Sequence, residues 1–217
     1  RRQRQMCIRD RVSQECDRID SRFLEPACGN GNFLAEILTR KLATVKKLYK
    51  SNPYDFDRYS VLAVSSIYGV DIMQDNTDEC RKRLYKIWDK EYKAVCKKQC
   101  NDDTRKSVEY ILGKNILCGN ALTLMCVDEN QQDTDVPIVF PEWSLMLGTK
   151  LKRRDFHLAV LLKASEKPKK KPRQESLFYT QDDTSKYLSQ NPVTGEYMAE
   201  PICEYPPINY RRIWENG

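Results

Sequence analysis

The sequence predicts an α/β protein built on a doubly wound, mainly parallel sheet, and three stretches carry that prediction. Arg22 to Phe33 sets apolar residues, an acid and a proline ahead of Gly29 and Gly31, and a helical pattern follows. This describes a short buried strand, a tight turn and a helix. Ile67-Tyr68-Gly69-Val70-Asp71-Ile72 is a second apolar strand that ends in an acid, and Asn115 to Leu122 is a third that ends in Gly119-Asn120. Strands alternating with helical patterns indicate parallel pairing through crossover helices.

At the start of the chain, Met6-Cys7-Ile8-Arg9-Asp10-Arg11 matches the translated end of the transposon adapters used in sequencing libraries. Residues 1–11 are therefore read as an adapter-derived scar before an incomplete N-terminus, a natural basic arm being the other reading. They hold five arginines and one aspartate, a net of +4, so the formal +6 of the whole chain falls to +2 beyond them. A strongly basic partner-seeking surface is not indicated. Residues 12–162 suit one domain with a real core, and 163–217 read as a basic linker and an irregular tail. No run of 18 apolar residues predicts a membrane span. Nine cysteines without paired spacing, beside the single His157, favour reduced and mostly buried thiols in a cytoplasmic protein, with no metal site.

Helical spacing of Phe33, Leu34, Ile37, Leu38, Leu42, Val45 and Leu48 predicts a helix over 32–49, with Arg40, Lys41, Lys46 and Lys47 on its basic outer face. Ser51-Asn52-Pro53-Tyr54 breaks it, and 57–66 forms a second helix. Thr77 to Cys100 reads as a charged helix with Cys80, Leu84, Ile87, Trp88 and Tyr92 inward. Pro137 to Trp143 reads as an edge strand with its prolines at the ends, and Asp155 to Leu162 as a late strand of the sheet. Lys163 to Arg173 is read as a solvated linker rather than a track for a phosphate backbone.

The chemistry concentrates at the strand ends. Gly29 and Gly31 allow backbone conformations that bring the main chain close to a ligand. An acid after the next strand is placed to accept from ribose hydroxyls, although Asp71 follows Gly31 by 40 residues and capping of the next helix is its other reading. Glu25-Pro26-Ala27-Cys28-Gly29-Asn30-Gly31-Asn32-Phe33 closely resembles the S-adenosylmethionine-binding motif of the amino-methylating DNA methyltransferases of restriction-modification systems. Tyr68-Gly69-Val70-Asp71-Ile72 is similar to that family's second motif. Gly119-Asn120-Ala121-Leu122 is similar to its third, with Asn120 where an aspartate usually stands.

The resemblance covers about half of the chain and implies a Rossmann-like class I methyltransferase fold. It implies that Glu25, Pro26, Ala27, Cys28, Gly29, Gly31, Asn32 and Phe33 form the cofactor turn. Carried over, Asp71 binds ribose, Ile72 packs on adenine, and Asn120, with Ala121 and Leu122, meets the adenine amine. The expected activity is methyl transfer to the exocyclic amine of adenine in DNA, with DNA and a restriction or specificity subunit as partners. The family's catalytic Asn-Pro-Pro-Tyr has no counterpart. Leu162-Lys163-Ala164-Ser165 stands in its place, and Asn52-Pro53-Tyr54, Asn191-Pro192 and Tyr205-Pro206-Pro207 match it poorly. A catalytically inactive S-adenosylmethionine-binding subunit or regulator is therefore the alternative.

Overall fold

A computed structural model describes residue 12 and residues 14–165, 185–192 and 196–216. The adapter-like stretch and most of the expected linker lie outside these residues. Strands β1 (Phe23–Glu25), β2 (Ile67–Asp71) and β3 (Ile116–Asn120) pair in parallel in that order. Strands β4 (Met125–Val127) and β5 (Asp133–Pro137) extend the sheet antiparallel from β3. The protein is α/β, but its five-stranded sheet is mixed, and its strand order advances without reversal. This departs from the doubly wound, mainly parallel expectation. The cause lies in 121–124: four residues suffice for an antiparallel return, whereas a parallel strand needs a crossover of about a dozen or more.

Helices α1 (Asn32–Tyr49) and α2 (Pro53–Ser65) connect β1 to β2, and α3 (Gln74–Cys96) and α4 (Asp102–Asn115) connect β2 to β3. The stripe of α1 buries Leu34, Ile37, Leu38, Leu42 and Val45, while Phe33 and Leu48 at its ends are exposed. Lys41, expected on the outer face, is completely buried. Asn52 starts α2 by accepting from the Tyr54 and Asp55 amides, with Pro53 in the first turn. Helix α3 ends at Cys96, four residues short of the expected Cys100, where Lys97 turns to φ 49°. Helix α4 escaped the sequence reading because Thr104 and Ser107 occupy its buried face beside Val108, Ile111 and Leu112. A stripe so interrupted by polar residues is hard to see.

A second sheet is centred on β7 (Lys150–His157), which pairs antiparallel with β6 (Val139–Leu145) on one edge. Its other edge takes β10 (Cys203–Glu204) and β11 (Ile208–Asn209). The expected strand Asp155–Leu162 is thus corrected: the strand ends at His157, and α5 (Leu158–Ser165) takes the rest. Its Leu, Ala and Lys residues are good helix formers. Pro141 lies inside β6 rather than at an end, and is tolerated because β6 pairs on one side. The C-terminal stretch contributes more than an irregular tail. Strands β10 and β11 join the second sheet, and the 3-10 segment Tyr210–Asn216 buries Tyr210 and Ile213. A separate hairpin joins β8 (Leu188–Gln190) to β9 (Tyr197–Ala199).

The two sheets meet through buried polar groups. The Tyr68 hydroxyl donates to the Pro141 carbonyl at 2.8 Å, and its ring meets Phe140 edge-on. Asn115 donates to the carbonyls of Ser65 and Ile67 and accepts from the Trp143 indole at 2.8 Å. Among the described residues, no helix is long and apolar enough to cross a membrane.

Candidate functional site

Parallel pairing sets the carboxyl ends of β1, β2 and β3 along one edge. Glu25 is opposite Gly69, and Asp71 is opposite Cys118. Beyond β1 the chain turns through Pro26 and Ala27, which are exposed, to the buried Cys28, whose amide donates to Val70. Gly29 and Gly31 have φ of 50° and 82°, conformations that disfavour any side chain. Their surroundings differ. A Cβ on Gly31 would stand 2.5 Å from the Cys80 sulfur, so this glycine lets α3 pack against the turn. A Cβ on Gly29 would meet nothing within 4 Å.

Asp71 connects the glycine turn to the second strand. Its Oδ2 accepts from the Gly29 amide at 2.8 Å, and its Oδ1 accepts from the Met73 amide at 3.0 Å and from Asn76 Nδ2 at 2.9 Å. One carboxylate therefore holds the turn and the start of α3 together. Ile72 is 39% exposed and Phe33 44%, so both offer apolar surface at this edge. Asn32 sits at the start of α1, where its side-chain oxygen accepts from Arg83.

The third stretch is less tightly joined to the others. Asn120 ends β3, linked to the second motif by the Asp71–Cys118 register and by the Cys118 thiol donating to the Ile72 carbonyl. Its side chain is engaged at both ends: Oδ1 accepts from the Leu122 amide, and Nδ2 donates to Asp133 at 3.0 Å. Ala121 is half-buried, and Leu122 is 83% exposed. Asn76, Arg83 and Asp133 were missed in the sequence, since a polar residue in a helix or hairpin gives no sign of which strand end it will reach.

Cys28 and Cys80 meet behind the turn as free thiols. Their mutual hydrogen bond, followed by burial, pushes the Cys28 thiol up, and the same bond pulls Cys80 down. Among the described residues, no three His, Cys, Asp or Glu side chains group as a metal site. Of the eight cysteines among the described residues, four are buried, three half-buried and one, Cys203, exposed.

Larger cavities lie elsewhere. One of about 520 Å³ sits near the opposite ends of β1 and β2, lined by residues including Arg22, Tyr59, Ser66 and Trp143. Another of about 470 Å³ runs beside β1, lined by Phe23, Leu24, Tyr68, Phe140, Leu158 and Leu162 among others. Neither includes a residue of the glycine turn, Asp71 or Asn120; the shelf on which those residues lie exposes Phe33, Ile72 and Leu122. Strand β7 carries basic residues that are paired within the protein. Arg153 is buried in a bidentate pair with Asp155, while Lys152 pairs with Glu204 and Arg154 with Glu142. No family model, curated protein or solved structure matches the chain.

Proposed function

We propose that this chain binds S-adenosylmethionine at the shared edge of β1, β2 and β3, and acts in DNA methylation of the restriction-modification type, on the exocyclic amine of adenine. The observation that carries the proposal is the bond from the Gly29 amide to Asp71, which joins residues 42 apart in the chain into one site. When bound, S-adenosylmethionine supplies a methyl group activated by a sulfonium.

The residues present suit that ligand. The space over Gly29 is open to a close approach of the main chain. Asp71 Oδ2 holds a single protein donor, so it retains acceptor capacity for a ribose hydroxyl. Ile72 presents apolar surface for an adenine ring. Asn120 Oδ1 takes one amide and keeps a second lone pair for the adenine amine. These groups bind and orient the cofactor, and alignment with a flipped base would supply the rate.

A second reading is a cofactor-binding subunit whose partner brings the catalytic loop. It is favoured by Leu162 to Ser165, which form the end of α5 rather than a loop following a parallel strand. Calorimetry with S-adenosylmethionine, followed by tritiated methyl transfer to unmethylated DNA, tests both readings. Asp71→Ala is expected to weaken binding by roughly tenfold or more, the worth of a hydrogen bond to a charged group. Unchanged affinity would refute the ribose assignment. Binding without transfer would select the subunit reading.

A further inference from the structure

We propose that Asn76 is a positioning residue for the cofactor ribose, acting through Asp71; this rests on the reading of the shelf as an S-adenosylmethionine site. A carboxylate oxygen has room for about two donors. Oδ1 of Asp71 has both, the Met73 amide and Asn76 Nδ2, whereas Oδ2 has only the Gly29 amide. The ribose acceptor is therefore Oδ2.

Asn76 is what makes the division definite. It lies in the first turn of α3, half-buried, with its amide nitrogen toward the carboxylate, because only that end of the carboxamide can donate to it. Three donors from three places, the glycine turn, the residue before α3 and the first turn of α3, fix the rotation of the Asp71 side chain. Without Asn76, Oδ1 keeps a single donor and the carboxylate is held by two backbone bonds instead of by three bonds, so the open acceptor is less closely fixed and Oδ1 competes with Oδ2 for a further donor. The cost falls on a ligand with ribose hydroxyls and spares one without them.

The test compares S-adenosylhomocysteine with its 2′,3′-dideoxy analogue by calorimetry, on the full chain and its Asn76→Ala, Asn76→Leu and Asp71→Ala variants. Asn76→Leu nearly preserves size and removes the donor without setting a second charge beside Asp71. Both Asn76 variants are expected to bind S-adenosylhomocysteine roughly tenfold more weakly. They should bind the dideoxy analogue within about twofold of wild type, the non-additive result of two changes acting on one contact. Equal losses on both ligands would assign Asn76 a merely structural role and overturn the inference, as would no loss while Asp71→Ala binds weakly. If the wild type fails to bind S-adenosylhomocysteine, or Asp71→Ala leaves its affinity unchanged, the failure lies in the site reading and the inference falls with it.

Discussion

Lys41 shows how far a single residue can depart from its expected surroundings. It lies on α1 with no exposed surface, and its ammonium donates to the carbonyls of Arg18, Ile19 and Ser21 at 3.1, 2.9 and 2.6 Å. All three donors of the group are used, and they hold the chain entering β1. Burial pushes its pKa down to about 8 from an ordinary 10.5. Because the folded value is depressed, the stability that this group contributes is fully present above pH 10.5 and is lost as pH falls through 8. Lys41→Met should destabilise by about 1–3 kcal/mol at pH 7, through carbonyls left without donors. The gap to wild type should widen by about 2 kcal/mol between pH 8 and pH 10. Urea unfolding of both proteins across that range is the check, and a narrowing gap would contradict the assignment.

At the level of the element, the turn between β1 and α1 contains two glycines with separate tasks. Gly31 is the residue before α1, and its αL conformation and the nearby Cys80 both exclude a side chain. Gly31→Ala is expected to cost about 2–4 kcal/mol, combining a left-handed penalty of about 1–2 kcal/mol with overpacking. Gly29 pays only the first of these, because nothing stands near its Cβ direction. Gly29→Ala should therefore cost about half as much in thermal unfolding, while its methyl group would occupy space that the proposed cofactor needs. Equal unfolding costs for the two substitutions would mean that the contact with Cys80 does not matter. The same turn illustrates why the strand, turn and helix were legible: their signals are local, and each lies within a few residues of the next.

For the whole molecule, the C-terminal stretch is joined to the helices through a buried charge. Asp57 on α2 is 1% exposed, and its Oδ2 accepts from two nitrogens of Arg211, 154 residues away, and from Thr104 on α4. Burial first of all raises the Asp57 pKa, and Arg211 opposes the shift. Arg211→Ala leaves the carboxylate buried without its countercharge, for an expected loss of about 3–5 kcal/mol. Restoring stability by adding Asp57→Asn would attribute the loss to the stranded charge, whereas a double variant as unstable as the single would assign it to packing. Scattered tyrosines after Lys163 gave no periodic sign that Tyr210 and Ile213 would reach the core, because their partners are supplied by distant elements.

The sequence alone determined the α/β class, β1 to β3 with α1 to α3, and the glycine turn, since hydrophobic period and backbone freedom are read within a short window. It also singled out Asp71 and Asn120 as strand-end residues. Tertiary structure decided what those residues touch: Asp71 bonds Gly29 and Asn76, and Asn120 bonds Asp133. It decided too that β4 and β5 return antiparallel, that 158–165 is helical, and that the C-terminal strands complete a second sheet. Those outcomes depend on pairing partners far away in the chain, and local pattern carries no record of which edge will be free to receive a strand or a side chain.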